Sequence, residues 1–337
     1  MSMSPTWTVN DVRVSSMAAA LPAAVMTNED LIAEGADPEY VARMSETVGV
    51  LERRVVVPAQ FGSDLALSAA RRVLEHEGWG PDDLDILVVG TQTPDRLFPG
   101  ISFALHRALG LGTDCAVFDV NLGCSAFVYG AWLVSTALAQ GGRRGLLVTV
   151  DTMSRTLRRD DWGNRVLFGD AAAAVAFTKD EDAASIRFSL ASDGRGADSV
   201  CLPGTAMQAG IDDAVGFRIN GPAVLGLALR SVPRMLVAML GEESPTLVVP
   251  HQANGFILEK LRERLGTPTN QFIVAMSGVG NTSSATIPLA LCSGDPRVEA
   301  GDRSSTAMVG FGTGFSWGAM LADLGATVRL GTSDVAG

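Results

Sequence analysis

The chain has 337 residues, 47% of them hydrophobic and 19% charged, with a formal net charge of −11. That length gives two domains or one large one, with enough apolar residues for a sizeable core. The negative charge argues against nucleic acids and anionic membrane surfaces as partners.

In chain order, Trp7 to Met17 alternates like a strand. Thr27-Asn28-Glu29-Asp30-Leu31 is a helix start, with a capping side chain and acids in the first turn. Asp37-Pro38 starts a second helix, and Ser63 to Glu77 reads as an amphipathic one. Ile86-Leu87-Val88-Val89 is apolar throughout, as in a sheet covered on both faces. A helix over 101–109 and a strand over 115–120 lead to Asn121-Leu122-Gly123-Cys124. An apolar helix over 126–139 follows. Strands are expected at 146–150 and 171–177, with a polar loop over 151–164 between them. A boundary near residue 180 divides the chain into halves of 1–180 and 181–337. The second half gives a strand at 186–190 and an apolar helix over 222–240, interrupted at Pro233. Further strands are expected at 246–249, 271–276, 306–309 and 316–324. Helices are expected over 256–265 and 284–292, and Gly310 to Gly314 reads as a tight turn.

The two halves repeat. Strand, helix, strand, turn and helix recur with 35 residues from Val89 to Cys124 and 32 from Val249 to Asn281. The repeat puts Thr91 and His251 at matching strand ends, and likewise Cys124 and Asn281. Chemistry in α/β sheets collects at the carboxyl ends of strands. Cys124, His251 and Asn281 are therefore expected to face one pocket.

Cys124 lies where a strand meets a helix N-terminus, whose unpaired N–H groups favour a thiolate. Taken alone it also fits a buried structural cysteine, His251 a core histidine and Asn281 a turn residue. Cys115, Cys201 and Cys292 have no matching turn and read as packing. The cysteines show no CxxC spacing, which fits a reducing compartment. The histidines at 76, 106 and 251 show no metal-ligand spacing, so no metal is expected. No apolar run reaches about 18 residues, and Pro22 breaks the 17–26 stretch. The expectation is a cytoplasmic protein with no membrane segment.

Gly123-Cys124-Ser125, His251-Gln252-Ala253-Asn254, Gly280-Asn281-Thr282-Ser283 and Gly312-Thr313-Gly314-Phe315-Ser316-Trp317-Gly318 occur in that order. Together with Phe168-Gly169-Asp170 they resemble the signatures of β-ketoacyl-acyl-carrier-protein synthase III, a thiolase-fold condensing enzyme. The resemblance implies a duplicated five-layer αβαβα fold and a homodimer. It implies that Cys124 carries an acyl group and that the Cys124 and Thr313 N–H groups form an oxyanion hole. His251 and Asn281 would hold the carbonyl of a malonyl thioester while CO₂ leaves. Substrates would be coenzyme A or carrier-protein thioesters, with no cofactor. Phe98 matches the residue that closes the partner's acyl pocket, and Asn254 lies in the substrate-binding His-Gln-Ala-Asn signature. Three positions depart from the family. Its tryptophan segment reads Glu39-Tyr40-Val41-Ala42-Arg43, its arginine in Asp-Arg-Gly is Trp162, and its docking arginine is Phe256. These departures point away from the housekeeping enzyme and towards a specialised fatty-acid or polyketide-type relative. Two other readings keep the same fold: an acyltransferase that forms an ester or amide without losing CO₂, and a non-catalytic partner subunit.

Overall fold

Apolar strands covered on both faces require helices above and below them, and two such sheets organise this chain. The structure is a computed structural model describing residues 5–206, 216–300 and 305–337. Strands β1 (Thr6–Val9), β2 (Val12–Pro22) and β3 (Val25–Thr27) precede helices α1 (Asn28–Ala33) and α2 (Pro38–Val48). Next come β4 (Glu52–Arg54), α3 (Gly62–Glu77), β5 (Ile86–Gly90), α4 (Ile101–Leu109), β6 (Ala116–Val120) and α5 (Ala126–Ala139). The first half closes with β7 (Arg144–Thr152), α6 (Trp162–Leu167) and β8 (Asp170–Lys179). The second half opens with β9 (Ile186–Ser192), the short pair β10 (Val200–Cys201) and β11 (Arg218–Ile219), and α7 (Gly221–Leu240). It continues with β12 (Leu247–Pro250), α8 (Gly255–Leu265), α9 (Thr286–Leu291) and α10 (Pro296–Ala300). Strands β13 (Thr306–Gly312), β14 (Ser316–Ala322) and β15 (Val328–Val335) end it.

One sheet runs β15-β2-β8-β7-β5-β6 and the other β1-β9-β14-β13-β12. Helices α3 and α4 cover the outer face of the first sheet, through Leu65, Ala69, Val73, Ile101 and Leu105. Helices α5 and α9 lie between the sheets, where Phe127, Val134, Ile287 and Leu291 meet Val88, Leu147, Val249 and Met308 in one core. Helices α7 and α8 cover the outer face of the second sheet. These are the five αβαβα layers of a thiolase-like fold. Helix α7 is long and apolar enough to cross a membrane, yet here it packs against β13, β14, β9 and α8.

The change of sheet falls between Lys179 and Ile186, beside the expected boundary. The ends of the chain cross it: β1 pairs with β9 in the second sheet, and β15 pairs with β2 in the first. The 7–17 stretch is accordingly two strands belonging to different sheets.

Other expectations are corrected. Helix α7 runs through Pro233 without a break, with the proline on its buried side. Of the 151–164 loop, Asp151 is the buried penultimate residue of β7, and Trp162 opens α6. The 271–276 segment is not a ladder-forming strand. It meets β12 at one bridge, Val248 to Phe272. The Gln252 side chain replaces the ladder, donating from Nε2 to the Ile273 carbonyl (3.3 Å) and accepting at Oε1 from Ala275 N–H (2.8 Å). Strand β13 extends to Gly312, so the glycine-rich turn is shorter than its sequence suggests.

Candidate active site

Cys124 sits between β6 and α5, two residues before the first helical residue. The helix cap, Ser125, makes no capping bond; its Oγ meets Ser316 Oγ at 2.7 Å, tying α5 to β14. Glycines let the neighbouring chain close on the thiol. A Cβ at Gly312 would stand 2.7 Å from Cys124 Cβ and 3.1 Å from its Sγ. A Cβ at Gly310 would stand 2.9 Å from Ser125 Cα. Thr313 therefore follows directly on the backbone that touches Cys124. Its Oγ1 donates to Gln92 Oε1 (3.0 Å), a side chain that also approaches Gly123.

His251 comes at the end of β12, its N–H held by the Val309 carbonyl (2.7 Å). Strands β12 and β13 are parallel, so His251 emerges beside the Gly310–Gly312 stretch that reaches Cys124. The Phe311 ring meets its imidazole edge-on at 5.4 Å between centroids. His251 Nδ1 lies 2.8 Å from Thr286 Oγ1.

Asn281 follows Gly280, whose φ of +76° suits glycine. The Asn281 N–H donates to the Leu167 carbonyl (2.8 Å), and Gly169 N–H donates to the Asn281 carbonyl (3.1 Å). Gly169 has no room for a side chain, since a Cβ would overlap the Val279 carbonyl oxygen. The Asn281 amide is oriented at both ends. Nδ2 donates to the Ala253 carbonyl (3.0 Å), and Oδ1 accepts from Ser283 N–H (2.9 Å).

Ser283 joins these pieces. Its Oγ lies 3.9 Å from Cys124 Sγ, its N–H holds Asn281, and its carbonyl accepts from Thr286 Oγ1 (3.0 Å). It adopts φ +52°, a left-handed conformation uncommon for a residue with a side chain. Asp151 holds the same turn from the first sheet. Its Oδ2 accepts from Ser284 N–H (3.1 Å), while its Oδ1 accepts from the Gln92 and Thr93 N–H groups and the Thr91 and Thr93 hydroxyls. A buried carboxylate is tolerable when its lone pairs are filled in this way. Ser283, Thr286 and Asp151 were not singled out from sequence. The available signal was one acid ending an otherwise apolar strand and two hydroxyls in an apolar helix start.

Burial decides the charge states. It pushes the Cys124 thiol up to about 12, partly opposed by the Ser283 hydroxyl and reinforced by Asp151. It pushes His251 down to about 3. The resting pair is thiol and neutral imidazole. The thiolate expected from the helix start is corrected: burial favours the neutral thiol.

The remaining predicted residues lie elsewhere. Asn254 caps α8, accepting from Ile257 N–H (2.8 Å), and Phe256 is half exposed on that helix's first turn. Trp162 opens α6 with the Arg165 guanidinium 5.0 Å over its ring. Its neighbour Gly163 faces the Tyr40 hydroxyl on α2. Phe98 is 80% exposed ahead of α4. No cluster of metal-binding side chains occurs among the described residues.

Five layers, a duplicated core and a half-buried cysteine at the sheet–helix junction define a thiolase-fold acyl-transferring enzyme. The family model for 3-oxoacyl-acyl-carrier-protein synthase III matches residues 118–194, and the model for its C-terminal part matches 238–324. The chain is 36% identical over 322 residues to a β-ketoacyl-acyl-carrier-protein synthase III from Alkalilimnicola ehrlichii, covering 92% of this chain and 98% of that protein. A 3-oxoacyl-acyl-carrier-protein synthase from Burkholderia xenovorans superposes with a TM-score of 0.93 at 26% identity, covering 99% and 100% of the two chains. The priming β-ketosynthase of the R1128 polyketide pathway superposes at 0.82 and 25% identity, covering 93% and 96%. The chain belongs to the β-ketoacyl-acyl-carrier-protein synthase III family, a family of transferases.

Proposed function

We propose that this protein joins an acyl thioester to a malonyl thioester by decarboxylative Claisen condensation, through an acyl group carried on Cys124. His251 takes the thiol proton as sulfur attacks the acyl carbonyl, and the Cys124 and Thr313 N–H groups stabilise the oxyanion. The malonyl carbonyl then faces Asn281 and His251, and loss of CO₂ leaves an enolate that attacks the acyl-cysteine. The observation that carries this reading is the Ser283 turn, which touches Cys124 and holds Asn281 and Thr286. A shared turn fixes the relative geometry of groups that must act in succession.

The pathway we propose is a specialised fatty-acid or polyketide-type one, in the cytoplasm, with coenzyme A or carrier-protein thioesters as substrates. The support is the likeness to a polyketide-priming synthase and the replacement of two of the family's arginines by Trp162 and Phe256. We also propose a homodimer. Among the described residues strand β6 is an unpaired sheet edge, and Phe118 on it and Leu97, Phe98 and Phe103 before and within α4 are exposed. Incubation with a panel of acyl thioesters, followed by peptide mass mapping, tests the reading. Acyl mass on Cys124 and CO₂ release on adding malonyl thioester are expected. Acyl mass on Cys115, Cys201 or Cys292 instead would overturn it.

A further inference from the structure

We infer that Thr286 is a positioning residue that locks His251 in the tautomer with its proton on Nδ1, so that Nε2 faces the reaction as a bare acceptor. The inference rests on the condensation reading above and adds how the shared imidazole divides its work between the two half-reactions.

The argument is a count of hydrogens. A threonine hydroxyl has one hydrogen and two acceptor lone pairs, and a backbone carbonyl can only accept. Thr286 Oγ1 lies 3.0 Å from the Ser283 carbonyl oxygen and 2.8 Å from His251 Nδ1. With its hydrogen on the Ser283 carbonyl, which also accepts the Thr286 backbone N–H, the hydroxyl presents a lone pair that receives a hydrogen from Nδ1. A neutral imidazole has only one N–H, so Nε2 has none. Both contacts are buried, where water cannot substitute for either partner.

Asn281 is fixed in the opposite sense. Ser283 N–H fills Oδ1, and one Nδ2 hydrogen goes to the Ala253 carbonyl. The second Nδ2 hydrogen is left for a ligand. The resting site thus offers one acceptor, His251 Nε2, and one side-chain donor, Asn281 Nδ2. The ionisable groups tied to the same turn are Cys124 before α5 and Asp151 on β7, whose five hydrogen bonds leave it no need of the imidazole. Thr286, Phe311 and Asn281 on the other flanks are uncharged.

Loading fits this arrangement directly. The Cys124 S–H bond breaks, Nε2 takes the proton, and the sulfur pair forms the new thioester. The old carbon–sulfur bond breaks, and the leaving thiolate takes the proton back from Nε2. Condensation differs, because neutral His251 cannot donate from Nε2. The reaction consumes one proton from water overall, and the lock assigns its point of entry. The proton binds Nε2 together with the anionic malonyl donor, whose carboxylate offsets the imidazolium charge. Carbon–carbon cleavage releases CO₂ and leaves the enolate oxygen between Nε2–H and Asn281 Nδ2–H. The enolate carbon bonds to the acyl carbon, the acyl–sulfur bond breaks, and Cys124 sulfur takes the proton from Nε2. Both groups are then restored.

Three enzymes test this: wild type, Thr286→Val, which keeps the shape but not the hydroxyl, and Thr286→Ser, which keeps the hydroxyl. Nitrogen NMR of ring-labelled histidine, assigned with His251→Gln, should show Nδ1 protonated and Nε2 bare in unliganded wild type. Nε2 protonated there would overturn the lock, whatever the enzyme's substrate. In Thr286→Val the proton should move to Nε2, and loading of Cys124 should slow about 10- to 100-fold. Decarboxylation is read separately, in a Cys124→Ala background, with a malonyl thioester. It should fall about tenfold per pH unit at high pH with Thr286 present and flatten with Thr286→Val. Thr286→Ser should restore loading and the pH profile. Equal loss of both steps in Thr286→Val with no change in pH profile would reduce Thr286 to packing. If wild type never loads an acyl group, the condensation reading fails while the NMR still decides the tautomer.

Discussion

Ser283 Oγ lies 3.9 Å from Cys124 Sγ, and the two residues come from opposite halves of the chain, 159 positions apart. The hydroxyl is in contact with the thiol, and it stabilises the thiolate against burial. Ser283→Ala keeps the backbone bonds to Asn281 and Thr286 and removes only this contact. Alkylation of Cys124 by iodoacetamide should become several-fold slower near neutral pH, with its pH midpoint moved upward. An unchanged midpoint would mean that the hydroxyl does not act on the thiol.

Gly312→Ala should abolish loading without unfolding the protein. Its new Cβ falls 2.7 Å from Cys124 Cβ, closer than packed atoms sit, while Gly312 has no left-handed φ to lose. Circular dichroism should stay native as acyl mass on Cys124 disappears. Normal loading in this variant would show that β13 does not wall the thiol.

Acid stability depends on two buried groups with opposite signs. His251 is pushed down to about 3 from 6.5, so the folded state binds fewer protons than the unfolded one between those values. Its contribution to stability is lost as pH falls through that window. Asp170, which accepts from Ser154 and Val56, is pushed up by burial from 3.8 to about 6. The folded state then binds more protons, and that contribution is lost as pH rises towards 6. Where the windows overlap the two slopes cancel, each approaching about 1.4 kcal/mol per pH unit. Relative to wild type, urea unfolding of Asp170→Asn should show stability rising more steeply with pH there, and His251→Gln should show it falling. Parallel slopes in all three proteins would refute these assignments.

Phe98→Ala should change acyl-chain preference more than melting temperature. The side chain is 80% exposed in one chain and has little to lose at home. Asp119 holds the start of the adjoining helix, accepting from the Ile101 and Ser102 N–H groups, so the loop's exit is fixed. Competition between short and long acyl thioesters checks this, and an unchanged preference would remove Phe98 from any acyl pocket.

Much of this architecture is written in local pattern. The continuous apolar runs at 86–89 and 171–177 and the helix periodicity of 63–77 identify layers directly, because burial on both faces leaves no polar position. The near-equal spacing of Cys124 and Asn281 from their strands placed both at one site. What escaped is non-local. Strands β1 and β15 cross to the other half's sheet, and nothing in either short segment names its partner. The 271–276 segment has strand composition, but the Gln252 amide takes the Ile273 carbonyl and the Ala275 N–H. Asp151, Ser283 and Thr286 matter through hydrogen bonds that exist only after the halves meet. The Cys124 charge state was misread because a helix start is visible in sequence and depth of burial is not.

The central claim is that Cys124 loads the acyl group while Asn281 serves the loss of CO₂, and comparing those two steps in Asn281→Ala tests it most directly. Mass spectrometry of Cys124 reads loading, and radiolabelled CO₂ from a malonyl thioester reads the second step. A donor to a developing oxyanion is worth about 100- to 1000-fold in rate. Asn281→Ala should load at near-normal yield and release CO₂ slower by that factor, while Cys124→Ala should not load and should keep some CO₂ release. Normal CO₂ release from an Asn281→Ala enzyme that cannot load would contradict the account and place Asn281 in the activation of the thiol.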